Sequence, residues 1–411
     1  NIYLKSKLIS SEMKLYGKTV AALAVICLPV LAQAGKYTVS GVVEGSREGD
    51  KVVLAIYSSY NYSPEKGDRC DTLELDGEGR FSFSGKLKSG RPAHLMYISS
   101  SPDAPVFPPK VYFALTPSKM LIRANAASFS DASISGGLYD DPRNTAFVKA
   151  EKEAEACIDS LRMRSRKASA AGDTVAMKAL KEQSEEQRSQ YERMLYSFFK
   201  EDTPFAPFQY ISTARIYRDD ADGIAGVCAS FGRRAAKSGF ADIVRQRRDY
   251  AMAMKSGRPC PELLLTDRDG RTVSLSDYKG KYLLVSHWSA GCGGSHYADP
   301  LISKVYEKYR QYGLEVLGTT DPSAVHFKPK DGSGPVDMKK MVFGIFKHEY
   351  KDIDLSEGDN YMFEKRFNVN GTPYFVFVSP EGIIIEAGLG VEVLDTVNKT
   401  MESVRVAAEG K

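Results

Sequence analysis

The segment His287–Tyr297, HWSAGCGGSHY, decides how the chain is interpreted. It continues an apolar run, KYLLVS, that predicts a buried strand, and a helical pattern follows its glycine-flanked cysteine, Cys292. A dithiol site would place a second cysteine three residues after the first, but Ser295 occupies that position. The segment therefore predicts a strand, a turn and a helix that carry one thiol where two are usual.

Residues 257–411 alternate strand and helix patterns around this segment. The sequence predicts a hairpin that turns at Asp267–Gly270, further strands at LEVLGTT and YFVFVSPEGIIIEAG, and a closing helix from Val391 to about Val406. This order predicts an α/β domain in which helices cover a mixed sheet.

Residues 35–138 predict a small all-β sandwich. Segments such as KYTVSGVV, KVVLAI and RFSFSG place apolar residues at alternate positions, and glycine-containing turns separate them. The loops contain no cluster of histidines and carboxylates, so we predict no catalytic role for this domain or for its Cys70.

Residues 139–256 change to helical periodicity, with a break at Ser169–Asp173 between two long helices. The first helix places its apolar residues on one face: Phe147, Ala150, Ala154, Cys157 and Leu161. We interpret this segment as a helical arm that links two domains, with a dimerisation surface as the alternative. Cys157 and Cys228 are expected to pack as small apolar residues.

Residues 1–34 are interpreted as upstream sequence and a signal peptide that starts at Met13. Two lysines precede the apolar run Val20–Leu31, and the small-residue sequence AQA follows it. The run is shorter than a spanning helix requires, and no later segment resembles one. We therefore expect export to the periplasm or cell envelope, with membrane contact only through the signal peptide.

Composition disfavours several classes of function. The net charge is only +4, and no dense basic block alternates with aromatic residues, which argues against nucleic-acid binding. Five of the six cysteines follow the signal peptide, so an oxidising compartment leaves at least one of them unpaired. Their spacing matches no metal site, and we predict neither a metal nor another cofactor.

The C-terminal segments resemble the TlpA/ResA-like branch of the thioredoxin superfamily, the envelope thiol-disulfide oxidoreductases. The matching pieces, in chain order, are GRPCPELLLTDRDGRTVSLSDYKGKYLLV, HWSAGC, VYEKYRQYGLEVLGTT and FNVNGTPYFVFVSPEGIIIEAG. The β-domain is similar to a sandwich of unknown function that often precedes such domains. The resemblance implies a thioredoxin-like fold and a role in redox homeostasis. It also implies disulfide-bonded or thiol-containing envelope proteins, or small thiols, as partners.

The same resemblance assigns the residues of the motif. Cys292 is the attacking nucleophile on the first turn of a helix, where backbone N–H groups and the helix dipole stabilise a thiolate. Ser295 stands where the resolving cysteine belongs, so the motif is degenerate and cannot resolve a mixed disulfide by itself. Ser286 stands where the family often buries an acidic residue. Gly291 and Gly294 are expected to loosen the turn.

Further residues are candidates for the site. The loop Gly371–Pro373 matches the one whose proline is cis in the family, so Thr372 and Pro373, together with Trp288, are expected to line a substrate groove. His296 is a candidate to support the thiolate, although a solvent-facing helix residue is the simpler interpretation. Cys260 is a candidate for a resolving thiol outside the motif, and a small buried residue is the alternative.

Three functions fit this pattern. Monothiol exchange of the reductase or isomerase type is favoured, and a redox-inactive binding module that keeps the groove is the first alternative. A thiol peroxidase is the second, disfavoured because Trp288 is the sole tryptophan and the activating Trp-Asn pair is missing. A metal site would require Cys292 and His296 to meet other histidines. Those histidines are His287, His326 and His348.

Overall fold

The structure is a computed structural model. It describes residues 35–58, 68–105, 108–213, 219–267, 269–322, 338–346, 348–356, 360 and 362–410. The predicted signal peptide and His326 lie outside these residues. Within the described ranges, no helix is both long enough and apolar enough to span a bilayer.

The chain divides into two compact units, the first ending at Asp141 and the second beginning at Pro142, with Tyr57, Ser58 and Asp68 assigned to the second. The sequence instead places a boundary at 138 and treats residues 139–256 as a separate arm. In the structure the helical segment belongs to the same unit as the C-terminal domain. One reason is that Met254, after the last helix of the segment, is buried in the core of that domain.

The first unit contains two four-stranded sheets that share one hydrophobic core, which agrees with the predicted sandwich. One sheet has the order β4-β1-β7-β8 and the other β3-β2-β5-β6. Their strands are β1 (Gly35–Glu44), β2 (Lys51–Ile56), β3 (Arg69–Glu74), β4 (Arg80–Leu87), β5 (Arg91–Ile98), β6 (Lys110–Leu115), β7 (Lys119–Asn125) and β8 (Ser133–Gly136). Burial alternates along β7, so its apolar residues face the core as the sequence pattern predicts.

The second unit begins with helices. They are α1 (Pro142–Ala170), α2 (Thr174–Phe199), α3 (Phe205–Ser212), α4 (Ala221–Ser230), α5 (Arg233–Ala236) and α6 (Gly239–Ala253). The predicted break between α1 and α2 is confirmed: Gly172 adopts a φ of +67° there, and the Asp173 side chain caps α2 by accepting from the Ala176 N–H. Cys157 is exposed, which contradicts its predicted packing, because the buried face of α1 passes through its neighbour Ile158 instead.

The rest of the second unit is an α/β domain around a five-stranded sheet of order β13-β12-β11-β14-β15. Its elements are β9 (Leu264–Thr266), β10 (Thr272–Ser274), β11 (Tyr282–His287), α7 (Gly293–Tyr309), β12 (Leu314–Thr320), α8 (Met338–Val342), β13 (Lys351–Asp354), α9 (Met362–Arg366), β14 (Tyr374–Val378), β15 (Ile384–Leu389) and α10 (Val393–Glu409). Strand β11 pairs in parallel with β12 and antiparallel with β14, so the predicted mixed sheet is confirmed.

The central strand β11 is buried on both faces. Leu283 and Val285 belong to one apolar core, whereas Leu284 between them belongs to the other, which includes residues of α7 and α10. A strand covered on both faces has a nearly continuous apolar sequence, which explains the run YLLV. The end of β11 and the loop after it therefore lie between two packed layers.

Candidate active site at the start of helix α7

Cys292 lies at the N-terminus of α7, immediately after the loop that leaves β11. It is the N-cap residue, with extended backbone angles (φ −98°, ψ 115°), and it is half-buried. Its backbone N–H donates to the Ser289 carbonyl at 3.0 Å, which closes the turn before the helix. The thiol therefore stands at the first helical turn, where the positive end of the helix dipole favours a thiolate.

The loop before β14 meets this thiol. The Thr372–Pro373 peptide bond is cis, as the family resemblance implies. The Cys292 thiol donates to the Thr372 carbonyl, with 3.2 Å between Sγ and the oxygen. Gly294 also contributes to this approach, because a Cβ there would lie 3.0 Å from Pro373 Cδ. Because Gly294 has no side chain, Pro373 can lie close to the first turn of the helix. The sequence predicts only that this glycine loosens the turn.

The environment lowers the pKa of Cys292 below its usual value. Burial is the largest influence and raises this pKa. Hydrogen bonds from the Thr372 side chain, from the backbone and side chain of Ser295 and from the Gly294 backbone outweigh it. The Thr372 carbonyl favours the protonated thiol, since it can only accept, whereas these donors favour the thiolate. The site thus stabilises a thiolate without a charged partner.

Ser295 lies one helical turn after Cys292 and is only 2% exposed. Its hydroxyl accepts a hydrogen bond from the Ser289 backbone N–H at 3.2 Å, so it fastens the active-site loop to the helix. A serine at this position cannot form a disulfide, but it supplies two donors that hold the sulfur as a thiolate.

Ser286, at the position expected of the family's buried acid, is also buried. Its hydroxyl has no hydrogen-bond partner among the described residues. We expect Ser286→Ala to leave stability unchanged or to raise it by up to about 1 kcal/mol, because it removes an unpaired polar group from the core. Urea unfolding measures this change, and a loss of stability would show that the hydroxyl has a partner.

The described contacts of His296 are with residues other than Cys292. Its Nε2 atom lies 2.8 Å from the Ala290 carbonyl, to which it donates, and its ring packs edge-on against Phe346. None of the described contacts that shift the pKa of Cys292 comes from His296. The structure gives His296 a place in holding the loop and gives no contact that supports the thiolate.

Trp288 does not line an open groove, so this prediction is corrected. The side chain is 3% exposed and packs against Val342 and Phe346. Its indole Nε1 donates to Asp352 Oδ1 at 3.0 Å. Asp352 was not predicted from the sequence, because it lies far from Trp288 along the chain. Only the folded sheet brings the two side chains together.

The structure does not bring Cys260 to Cys292. The Cys260 backbone N–H donates to the Gly382 carbonyl, in the turn after β14, whereas Pro373 precedes that strand. The 5 residues of β14, at about 3.3 Å each, separate the two ends by roughly 17 Å. A disulfide tolerates about 7 Å between Cα atoms. Burial, with a smaller effect of Glu262, also raises the pKa of Cys260 to about 12. The structure therefore contradicts Cys260 as the resolving thiol.

The remaining histidines and cysteines of the described chain serve other roles. His287 is buried, contacts Thr319 Oγ1 through Nδ1 at 3.1 Å, and has its pKa lowered to about 4 by burial, as expected of a core residue. Cys70 lies exposed on β3 of the first unit, and the described cysteines form no disulfides. In the described part of the chain, no group of three or more His, Cys, Asp or Glu side chains is arranged to hold a metal ion.

Comparison with known proteins places this site in a family. Residues 256–386 match the model of the AhpC/TSA family, and residues 37–141 match the domain of unknown function DUF4369. The chain is 29% identical over 92 residues to "Thiol-disulfide oxidoreductase ResA" of Bacillus thuringiensis subsp. konkukian, a match that covers 21% of this chain and 53% of that protein. The chain thus spans about half the length of that relative.

Two further similarities were found. The chain is 32% identical over 115 residues to "Probable phospholipid hydroperoxide glutathione peroxidase" of Nicotiana sylvestris, which covers 26% of this chain and 65% of that protein. A solved thioredoxin domain of a thiol-disulfide oxidoreductase from Bacteroides vulgatus is 28% identical, covering 36% of this chain and 98% of that one, with a TM-score of 0.29. Residues 256–386 are therefore a thioredoxin-fold domain of the AhpC/TSA family, with thiol-disulfide oxidoreductases among its relatives, and a DUF4369 domain precedes them in the chain.

Proposed function

We propose that this chain is an exported protein that carries out monothiol thiol-disulfide exchange through Cys292. The observation that carries the proposal is the environment of Cys292, where a half-buried thiol at a helix N-terminus has its pKa lowered by donors from Thr372, Ser295 and Gly294. Only the thiolate attacks disulfides, so a lowered pKa raises the reactive fraction near neutral pH.

The reaction requires an external thiol to complete it. The Cys292 thiolate attacks one sulfur of a substrate disulfide, the S–S bond breaks, and the other sulfur leaves as a thiolate that takes a proton from water. This step forms a mixed disulfide. Ser295 cannot attack it, so a second thiol must displace Cys292, forming a new disulfide and returning the Cys292 thiolate. Substrate thiols and small thiols are equally competent for this step.

The cis-proline loop is the proposed substrate groove. The backbone of Thr372 lies against the Cys292 sulfur, at 3.2 Å from its carbonyl oxygen. An extended peptide that pairs with this backbone would place its own disulfide beside the thiol. Proteins of the cell envelope with exposed disulfides are the substrate class that we propose, and export rests on the signal-peptide pattern that begins at Met13.

A second candidate function is thiol peroxidase. The 32% identity to the Nicotiana sylvestris glutathione peroxidase over 115 residues favours it. In this reaction the Cys292 thiolate attacks a peroxide, its sulfur is oxidised to sulfenic acid and the peroxide is reduced to water or an alcohol; external thiols then reduce the sulfenic acid. Consumption of hydrogen peroxide that depends on Cys292 and exceeds the rate of adduct formation with disulfides would place this function first.

The proposal is tested by intact-mass spectrometry after mixing with a disulfide-bonded peptide. We expect the wild-type protein to form a peptide adduct at Cys292 at pH 7, and we expect Cys292→Ser to form none at this position. Cys70→Ala is the matched control, because it removes an exposed thiol of the first unit and should leave the rate at Cys292 unchanged. If Cys292 forms no adduct even above pH 8, the redox-inactive binding module becomes the better function.

A further inference from the structure

A buried histidine, His348, lies between two carboxylates beneath the active-site loop. Its side chain is 4% exposed. Nδ1 lies 2.9 Å from Asp299 Oδ1, and Nε2 lies 2.8 Å from Asp352 Oδ2. The ring also stacks on Tyr350, with 3.6 Å between centroids and 4° between planes, and the Tyr350 hydroxyl donates to Asp299.

These contacts favour the charged form of His348. A neutral imidazole has one N–H and one lone pair, so it can donate to only one of the two carboxylates. Both nitrogens lie at hydrogen-bonding distance from carboxylate oxygens, and only the imidazolium donates to both. The imidazolium is the form that pairs with two carboxylates at once, so the geometry favours the protonated histidine.

The two carboxylates tie His348 to both ends of the Cys292 loop. Asp352, on β13, accepts from the indole of Trp288, which is where the loop leaves β11. Asp299 lies on α7, two turns after the loop enters that helix. Gly318 on β12 makes room for this arrangement, because a Cβ there would collide with the Asp352 carboxylate. One imidazolium thus connects the residue before the loop to the helix after it.

We propose that His348 is a positioning residue for Cys292: protonated, it holds both ends of the loop, and deprotonated, it releases one of them. Loss of the proton leaves one carboxylate facing an imidazole lone pair, which repels it. Whichever carboxylate is released, either Trp288 or α7 loses its anchor. The part of the inference that concerns the reactivity of Cys292 rests on the proposed function. The part that concerns the contact between His348, Asp352 and Trp288 does not.

The sign of the pH dependence follows from the surroundings. Burial is the largest influence and lowers the pKa of His348. The hydrogen bonds and charges of Asp352 and Asp299 outweigh it, so the pKa is raised above 6.5. Among the described residues, the charged or titratable groups that face the ring are these two carboxylates and the Tyr350 hydroxyl, whose own pKa is raised mainly by burial. The stabilising contacts are therefore complete below pH 6.5 and are lost as the pH rises through the higher pKa of the folded state.

Trp288 reports this change directly, because it is the sole tryptophan of the chain and donates to Asp352. We expect the tryptophan emission of the full-length wild-type protein to change with pH at a single inflection above 6.5, with unchanged far-UV circular dichroism. His348→Gln should abolish the inflection. His296→Gln is the matched control, since this exposed histidine contacts Phe346 nearby, and it should leave the inflection in place.

A second variant keeps the inference testable if His348→Gln does not fold. Asp352→Asn keeps the shape of the side chain but removes one negative charge, so the inflection should move to lower pH by about one unit or more. A flat wild-type emission profile, an inflection that survives in His348→Gln, or an inflection that Asp352→Asn does not move would each overturn the inference.

The alkylation rate of Cys292 over the same pH range separates this inference from the proposed function. We expect the wild-type profile to show a second inflection that coincides with the change in emission and is lost in His348→Gln. If Cys292 proves unreactive while the emission behaves as expected, the proposed function fails and the tie between His348 and Trp288 stands. If Cys292 is reactive but its profile ignores the emission inflection, the positioning role is refuted.

Discussion

Ser295→Cys is expected to shorten the lifetime of the Cys292 mixed disulfide by at least about a thousandfold. In the wild-type protein the adduct waits for an external thiol, which is present at millimolar concentration in the assay. A thiol fixed one helical turn away acts at a far higher effective concentration, since well-oriented intramolecular reactions exceed about 10⁵ M. The variant should release its peptide and keep an intramolecular disulfide.

The geometry supports this disulfide. Residues three apart in a helix have Cα atoms about 5 Å apart, within the range of about 4.4–6.8 Å that disulfides adopt. The Ser295 hydroxyl already contributes a hydrogen bond to the Cys292 sulfur, so a thiol there points toward it. The rate of this intramolecular step should stay below the value that an effective concentration of about 10⁵ M would give. The reason is that Ser286 supplies no carboxylate to deprotonate the new thiol.

Ser295→Ala is the matched control for this prediction. It removes the same hydroxyl and the acceptor for the Ser289 N–H, but it adds no thiol. The adduct should remain long-lived in this variant. It should also form more slowly, because the Cys292 thiolate loses a hydrogen-bond donor that lowers its pKa. Time-resolved intact mass distinguishes the variants. An adduct that persists equally in Ser295→Cys and in wild type would show that the loop holds residue 295 away from the sulfur.

Asp50→Ala is expected to destabilise the first unit by about 3 kcal/mol, because the buried Tyr97 hydroxyl left without an acceptor costs roughly 1–3 kcal/mol and two backbone N–H groups lose their acceptor as well. Asp50 is fully buried and accepts from the Tyr97 hydroxyl. It also accepts from the Ser100 N–H at 2.7 Å and from the Arg47 N–H at 2.8 Å. Alanine removes the shared acceptor of all three groups.

The same carboxylate predicts a pH dependence. Burial is the largest influence and raises the pKa of Asp50. The hydrogen bonds from Tyr97, Ser100 and Arg47 outweigh it and lower the pKa from 3.8 to about 2. The contribution of Asp50 to stability is therefore complete above pH 3.8 and is lost as the pH falls toward 2.

Thermal unfolding of the full chain by circular dichroism tests this prediction, and Trp288 emission reports the second unit separately. Asp76→Ala is the matched control. This carboxylate also accepts from two backbone N–H groups, those of Glu78 and Arg80, but it lies in an exposed turn where water replaces it. Its replacement should cost much less stability than that of Asp50. Equal losses in both variants would contradict the assignment of the larger effect to burial.

The sequence by itself predicted the elements and the candidate nucleophile. A strand that is covered on both faces requires a nearly continuous apolar sequence, such as YLLV. The glycines around Cys292 indicate the turn that leads into a helix. Local patterns of this kind follow from backbone geometry, which acts over a few residues.

The tertiary structure alone decided which side chains meet. Trp288 looked like a groove residue, but the segment at Val342 and Phe346 covers it. Cys260 looked like a second thiol, but it lies at the far end of β14. The pairing of His348 with Asp299 and Asp352 has no local pattern, because β13 and α7 supply its members from distant parts of the chain. Charge and burial depend on such distant neighbours, and only the packed sheet fixes them.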